Sequence, residues 1–203
     1  MPDATLDWYE RNADAYAAAT WGIDLSPQRH RFMALLPAGG RILDVGCGSG
    51  RDAHAFLQQG FRVDARDASP RLAAVAEVRL GKPVRVQDIR HLADRDSFDG
   101  IWASAVLLHI PHAEVPDLLR RLALALVPDG IIHLSVKEGD GQRTEDGRTF
   151  FDWFLPRLTE AVHQTGDLRA LEGWSEADSQ RPIRWVHILA RRSGSTGQAN
   201  VTS

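Results

Sequence analysis

Cysteine is almost missing from this chain: Cys47 is the only one. A disulfide framework within the chain is excluded, and a zinc site would need to draw its other ligands from other residue types. A reducing compartment, the cytoplasm, is the simplest setting. A surplus of positive charge is also absent. Lys and Arg number 24 against 27 Asp and Glu, a formal net charge of −3. That balance speaks against nucleic acid or an anionic membrane as a partner, because both favour a basic face. Long apolar runs are lacking too. The run at 101–110 is too short to cross a bilayer and contains His109. The opening MPDATLDWYERNADAY lacks the basic-then-apolar layout of a signal peptide. No internal repeat is present, and no nucleophile–His–Asp set is readable.

What remains is an ordinary globular composition. The chain has 203 residues, 43% hydrophobic and 25% charged, enough for one domain with a full core. Residues 7–20 read as a helix, with Leu6, Tyr9, Ala13, Tyr16 and Ala17 on one face. A second helix is expected from Ser26-Pro27 to Leu36, since serine caps and proline suits the first helical position. Pro37-Ala38-Gly39-Gly40 then breaks the chain. Strands are expected at 41–45, 61–66, 84–87, 98–103 and 131–136, and helices at 51–59, 70–80 and 114–127. This alternation predicts an α/β fold, a doubly wound parallel sheet with helices on both faces. Pro128-Asp129-Gly130 reads as a turn, and polar, glycine-rich 137–148 as a mobile loop. A helix at 151–164 and a closing strand pair at 168–174 and 184–190 complete the chain. The expected organisation is one domain over 1–192, with a helical lid at 1–36, a rim loop at 137–155 and a disordered tail at 193–203.

The most informative stretch is ILDVGCGSGRDAHAF, at 42–56. Gly46, Gly48 and Gly50 follow a strand and precede a helix, and Asp44 lies in the strand itself. Glycines permit a sharp turn and close approach of a ligand. In a doubly wound sheet that turn lies at the ligand-binding crevice. Asp67 ends the next strand about 20 positions past Gly46, the offset expected of an acid that accepts ribose hydroxyls. A dinucleotide fingerprint would need glycine where Arg51 stands. A pyrophosphate would also sit badly beside Asp44, whereas a cationic nucleoside such as S-adenosylmethionine would not.

LDVGCGSG, VDARDASP, the QDI of Gln87, Asp88 and Ile89, FDGIWASAVLLHIP and LVPDGIIHLSV, in this order, resemble the successive motifs of class I S-adenosylmethionine-dependent methyltransferases. The segments GSGRDA, YERNADAY and VKEGDG…DGRTFF further resemble small stand-alone bacterial methyltransferases, including the tellurite-resistance type. The resemblance implies a Rossmann-like, seven-stranded, mostly parallel sheet with one antiparallel strand. It also implies site roles. Gly46, Cys47 and Gly48 would pass along the methionine end of S-adenosyl-L-methionine, with Asp44 at its amino group. Asp67 would take the ribose, Ala68 and Ile89 would cover the adenine, and Asp88 would bond its amino group. Ala103 and Ser104 would face the methionine, and Tyr16 would form a lid.

Plainer roles stand beside these. Asp67 can be a helix N-terminal charge, Asp88 a turn cap and Asp44 a structural acid that orients loop amides. Asp64 shares the strand with Asp67 but lies on the opposite pleat. His109 is read as a catalytic base or acceptor contact, or as a half-buried structural histidine. The pair His109 and His112 makes a weak metal motif, and no metal is expected. Lys137 and Arg148 read as solvated loop charges. Methyl transfer from a sulfonium is an in-line displacement, so positioning, on the order of 7–11 kcal/mol, can carry catalysis without a catalytic set. Aromatics at Trp8, Tyr16, Trp21, Phe150, Phe151 and Trp153 favour a small, partly apolar or soft acceptor. A monomer or homodimer is expected. The alternatives are a non-catalytic module that binds S-adenosylmethionine, or a nucleotide-dependent oxidoreductase on the same fold.

Overall fold

The computed structural model describes residues 3–178 and 181–194. In chain order it contains α1 (Asp3–Trp21), α2 (Ser26–Met33), β1 (Arg41–Val45), α3 (Arg51–Gln58), β2 (Arg62–Asp67), α4 (Pro70–Leu80), β3 (Arg85–Val86) and β4 (Phe98–Ser104). There follow α5 (Val115–Ala125), β5 (Leu126–Lys137), β6 (Gln142–Glu145), β7 (Arg148–Phe151), α6 (Leu155–His163), β8 (Leu168–Ala177) and β9 (Arg184–Arg192). Seven strands form one sheet in the order β3-β2-β1-β4-β5-β9-β8. All pairings from β3 to β5 are parallel, and β9 runs antiparallel to both β5 and β8. The expected seven-stranded sheet with one antiparallel strand is thus present. The order reverses between β1 and β4, and the glycine loop leaves β1 at that reversal.

The central strands read as nearly continuous apolar runs because both faces are covered. Successive residues feed opposite cores. Leu43, Ile101 and Ile132 face α5 and α6 residues such as Leu119, Leu122, Leu158 and Val162. Ile42, Trp102 and Ile131 face Phe32 of α2, Ala53 and Phe56 of α3, and Ala73 and Ala76 of α4. Helix α1 lays Tyr9, Ala13 and Ala17 against Leu72 of α4. This closes the top of the sheet. No helix among the described residues is long and apolar enough to cross a membrane.

Three expectations change. The segment 137–148 contains a β-hairpin: β6 pairs with β7 antiparallel, and only Asp146 and Gly147 lie between the partners Glu145 and Arg148. Both have positive φ, 51° and 80°, as a type I′ turn requires. Residues 128–130 do not end an element either. They form an irregular start to β5, with Asp129 at φ 64°. Helix α6 starts at Leu155 with Pro156 in its first turn, later than expected. The tail expected at 193–203 lies outside the described residues from 195 onward.

Candidate active site

The glycine loop explains its own composition. Gly46 has φ +65°, and a Cβ there would stand 2.4 Å from Val106 Cγ2, so the chain after β4 presses directly on it. Gly48 also has positive φ. Its N–H donates to Asp67 Oδ2 at 2.8 Å. The Cys47 N–H donates to the Arg66 carbonyl at 3.0 Å. The loop is therefore pinned to the end of β2. The Cys47 thiol is buried among the core residues beside α3, and burial pushes its pKa well up, so it stays protonated and inert.

Two cavities open from this loop. The smaller, about 50 Å³, is lined by Asp67, Ala68, Asp88, Ile89 and Ile110 among others. The larger, about 340 Å³, has Asp44, Cys47, Arg51 and Asp52 on one wall and Lys137, Arg148 and Phe150 among its other residues. Tyr9, Tyr16, Gly46, Gly48, Ser104 and Ala105 border both. Ten of the sequence-read positions (Tyr16, Asp44, Gly46, Cys47, Gly48, Asp67, Ala68, Asp88, Ile89 and Ser104) thus converge. Ala103 does not. It is fully buried with Leu43, Val45 and Leu134 on the α5 side of the sheet. Strand β4 continues one residue further than expected, and Ser104 and Ala105 take the wall.

Each carboxylate has a distinct environment. Asp67 accepts from the Gly48 and Ser69 N–H groups at 2.8 and 2.9 Å. Burial nevertheless raises its pKa to about 6, against the pull of those donors. Asp44 is 3% exposed. Burial, then the nearby Asp52 charge, raises its pKa well above normal, and Oδ2 has no hydrogen-bond partner. Asp52 is the opposite case. Burial opposes its charge, yet Arg51 and Arg29 hold its pKa low. It accepts from Arg29 Nη1 at 2.6 Å, Arg51 Nη2 at 2.7 Å and Trp102 Nε1 at 3.0 Å. Asp88 caps the short turn at Ile89 by accepting from the Arg90 N–H at 2.8 Å. Asp64 is occupied by Arg66 at 2.9 Å, on the other side of β2.

His109 is almost fully buried and borders the smaller cavity. Its Nδ1 donates to the Thr149 carbonyl at 2.8 Å, which leaves Nε2 to accept from the Tyr9 hydroxyl at 2.9 Å. Burial lowers its pKa to about 4, so the ring is neutral near pH 7. His112 faces elsewhere, on the Asp152 carbonyl at 3.0 Å. Among the described residues no cluster of three or more His, Cys, Asp or Glu side chains could hold a metal ion. Ala105 is a non-glycine residue at φ 58°, held by its N–H to the Ser135 carbonyl and hydroxyl, both 3.1 Å. A strained residue on a cavity wall fits a functional position.

The sequence reading missed Asp52, Ala105, Lys137 and Arg148. Asp52 gave no signal, since its partners Arg29 and Trp102 are 23 and 50 positions away. Lys137 and Arg148 were hidden by the unread hairpin, although Asp146-Gly147 is a strong hairpin signal.

With this geometry in place, comparison with known proteins identifies the class. Residues 13–177 match the family model for a methyltransferase domain, and the chain belongs to that family. It is similar to a ubiquinone biosynthesis O-methyltransferase of Xanthomonas axonopodis pv. citri, 31% identical over 149 residues. That match covers 64% of this chain and 62% of the relative, so the chain aligns with less than two thirds of that protein. Among solved structures it resembles the Burkholderia thailandensis 1,6-didemethyltoxoflavin-N1-methyltransferase, which holds 1,6-didemethyltoxoflavin and S-adenosylhomocysteine. The TM-score is 0.76 at 26% identity, over 93% of this chain and 85% of that one. A Methanosarcina mazei S-adenosylmethionine-dependent methyltransferase shares the fold, with TM-score 0.72 at 17% identity, over 84% of this chain and 99% of that one.

Proposed function

We propose that this chain transfers a methyl group from S-adenosylmethionine to a small-molecule acceptor. The observation that carries the reading is Asp44: a buried carboxylate with an unpartnered oxygen, on the wall beside the glycine loop. An orphaned buried acceptor is costly and suits a cationic ligand group. The donor set fits the rest of that molecule. Asp67 would accept the ribose hydroxyls, and Ala68, Ile89 and Asp88 would enclose the adenine in the smaller cavity. Asp44 would hold the ammonium. A pyrophosphate would bring no cation to that unpartnered oxygen, which speaks against the oxidoreductase alternative.

The bound donor supplies an electrophilic methyl on a sulfonium whose leaving group departs neutral. The chain's own residues supply alignment. Tyr9 and Tyr16 on α1 border both cavities, so α1 closes over the junction and excludes water. We assign His109 a positioning role: with both ring nitrogens engaged, it orients Tyr9 from behind rather than taking a proton from an acceptor. The lone buried Cys47 fits a reducing, cytoplasmic setting, and the net charge of −3 fits a partner other than nucleic acid.

Isothermal titration with S-adenosylmethionine and S-adenosylhomocysteine tests the reading. Binding well below millimolar is expected. No heat until about millimolar, where binding energy falls to roughly 4 kcal/mol, rejects it.

A further inference from the structure

We propose that Lys137 and Arg148 form an anion subsite in the larger cavity, and that the methyl acceptor is a small aromatic molecule carrying a negative charge there. The inference rests on the methyl-transfer reading above. Four Lys and Arg side chains line the larger cavity. Two are neutralised at close range: Arg51 by Asp52 and Arg181 by Asp178, each at 2.7 Å. The other two are not. Arg148 is 17% exposed, and its nearest carboxylate, the outward-facing Asp146, is 3.8 Å away. Its buried Nε has no hydrogen-bond partner. Lys137 is 13% exposed and lies 3.9 Å from Glu145, a carboxylate already held by Arg143. Arg143 also takes Asp152, at 2.6 Å. Glu145 and Asp152 are thus held at close range by a cation that does not line the cavity.

Buried cations without close carboxylates are costly and select for an anion that compensates them. Burial and the neighbouring Arg143 already lower the pKa of Lys137 to about 8. The surroundings specify what kind of anion fits. The Lys137 ammonium stands 3.7 Å from the Phe150 ring centroid, and the Arg148 guanidinium stacks on Trp8 at 3.9 Å and faces Phe150 at 5.2 Å. Tyr9 and Phe150 both border the cavity. Aromatic walls accept a planar ring, and a planar guanidinium matches a carboxylate or a delocalised oxyanion. Lys137 ends β5 and Arg148 begins β7, so the hairpin is what brings the two together.

The test uses protein saturated with S-adenosylhomocysteine and titrates salicylate, benzoate and 4-hydroxybenzoate against their neutral amides. At least one acid should bind about tenfold or more tighter than its amide. Lys137→Met and Arg148→Met should each weaken that acid by about tenfold or more, with S-adenosylhomocysteine affinity unchanged. Methionine keeps the apolar stem, and circular dichroism checks the fold. A pH titration gives a readout independent of the Arg148 variant. Lys137 faces Arg143, Glu145, Arg148 and Asp152. Acid affinity should fall as pH rises through about 8 in the native chain and stay flat in Lys137→Met. Equal binding of acid and amide, no binding by any acid, or unchanged affinity in Lys137→Met overturns the subsite. If S-adenosylhomocysteine itself does not bind, the methyl-transfer reading fails instead.

Discussion

Asp67 offers the sharpest quantitative test, because burial raises its pKa to about 6 while the ribose role proposed for it requires the ionised form. The sign follows directly. A raised folded pKa means the free protein takes up a proton as pH falls through about 6, and that proton competes with the ribose hydroxyls. At about pH 7.5 nearly all of the carboxyl is ionised, and at about pH 5 only a tenth is, so apparent affinity should drop about tenfold, or about 1.4 kcal/mol. Asp67→Asn removes the titration. It should bind about tenfold more weakly at about pH 7.5, since a neutral acceptor replaces a charged one, and match the native chain near pH 5. Calorimetric titration with S-adenosylhomocysteine across this range, at constant ionic strength, measures both curves. Asp44, also raised, is present in both proteins and Asp67 contributes least among the causes of its shift, so the ratio of affinities reports mainly Asp67. A ratio that does not change with pH refutes the ribose assignment.

Two further substitutions probe the frame of the site. Gly46→Ala places a Cβ 2.4 Å from Val106 Cγ2 at φ +65°, and left-handed strain plus overpacking should cost about 2–4 kcal/mol in urea unfolding. A fully stable variant would show that the approach of Val106 is not confining. Tyr9→Phe leaves buried His109 Nε2 without its donor and should cost about 1–3 kcal/mol, read from the same measurement. Native stability in this variant would remove the orientation role given to that pair.

How much could be read in advance depended on whether the signal was local. Strand β1 and helix α4 were legible to the residue. The first is an apolar run stopped by glycines, and the second is bounded by Ser69, which accepts from the Leu72 N–H at 3.1 Å, and by left-handed Gly81. Most of the positions read for a methyl donor border one of the two cavities, because the glycine loop and the acid of β2 are linked by a fixed chain offset. The wall proposed for the acceptor was not read. Lys137 and Arg148 owe their burial to a hairpin whose strand β6 is polar throughout, so no apolar alternation announced it. Ala103 shares a pleat of β4 with Ile101, so its side chain joins the α5-side core while Ser104, on the next pleat position, reaches the cavity. Asp52 lay beyond reach for another reason: its meaning comes from three partners that only the folded chain assembles.

That carboxylate has a wider consequence. Arg29 of α2, Arg51 and Trp102 of the central sheet all meet on Asp52, so the cap and the platform beneath it share one charged rivet. On the methyl-transfer reading, the α1 and α2 side chains that border the larger cavity could vary without undoing this joint, provided α2 keeps a guanidinium at this point. New acceptor preferences can then arise by refitting the roof while the donor seat stays as built.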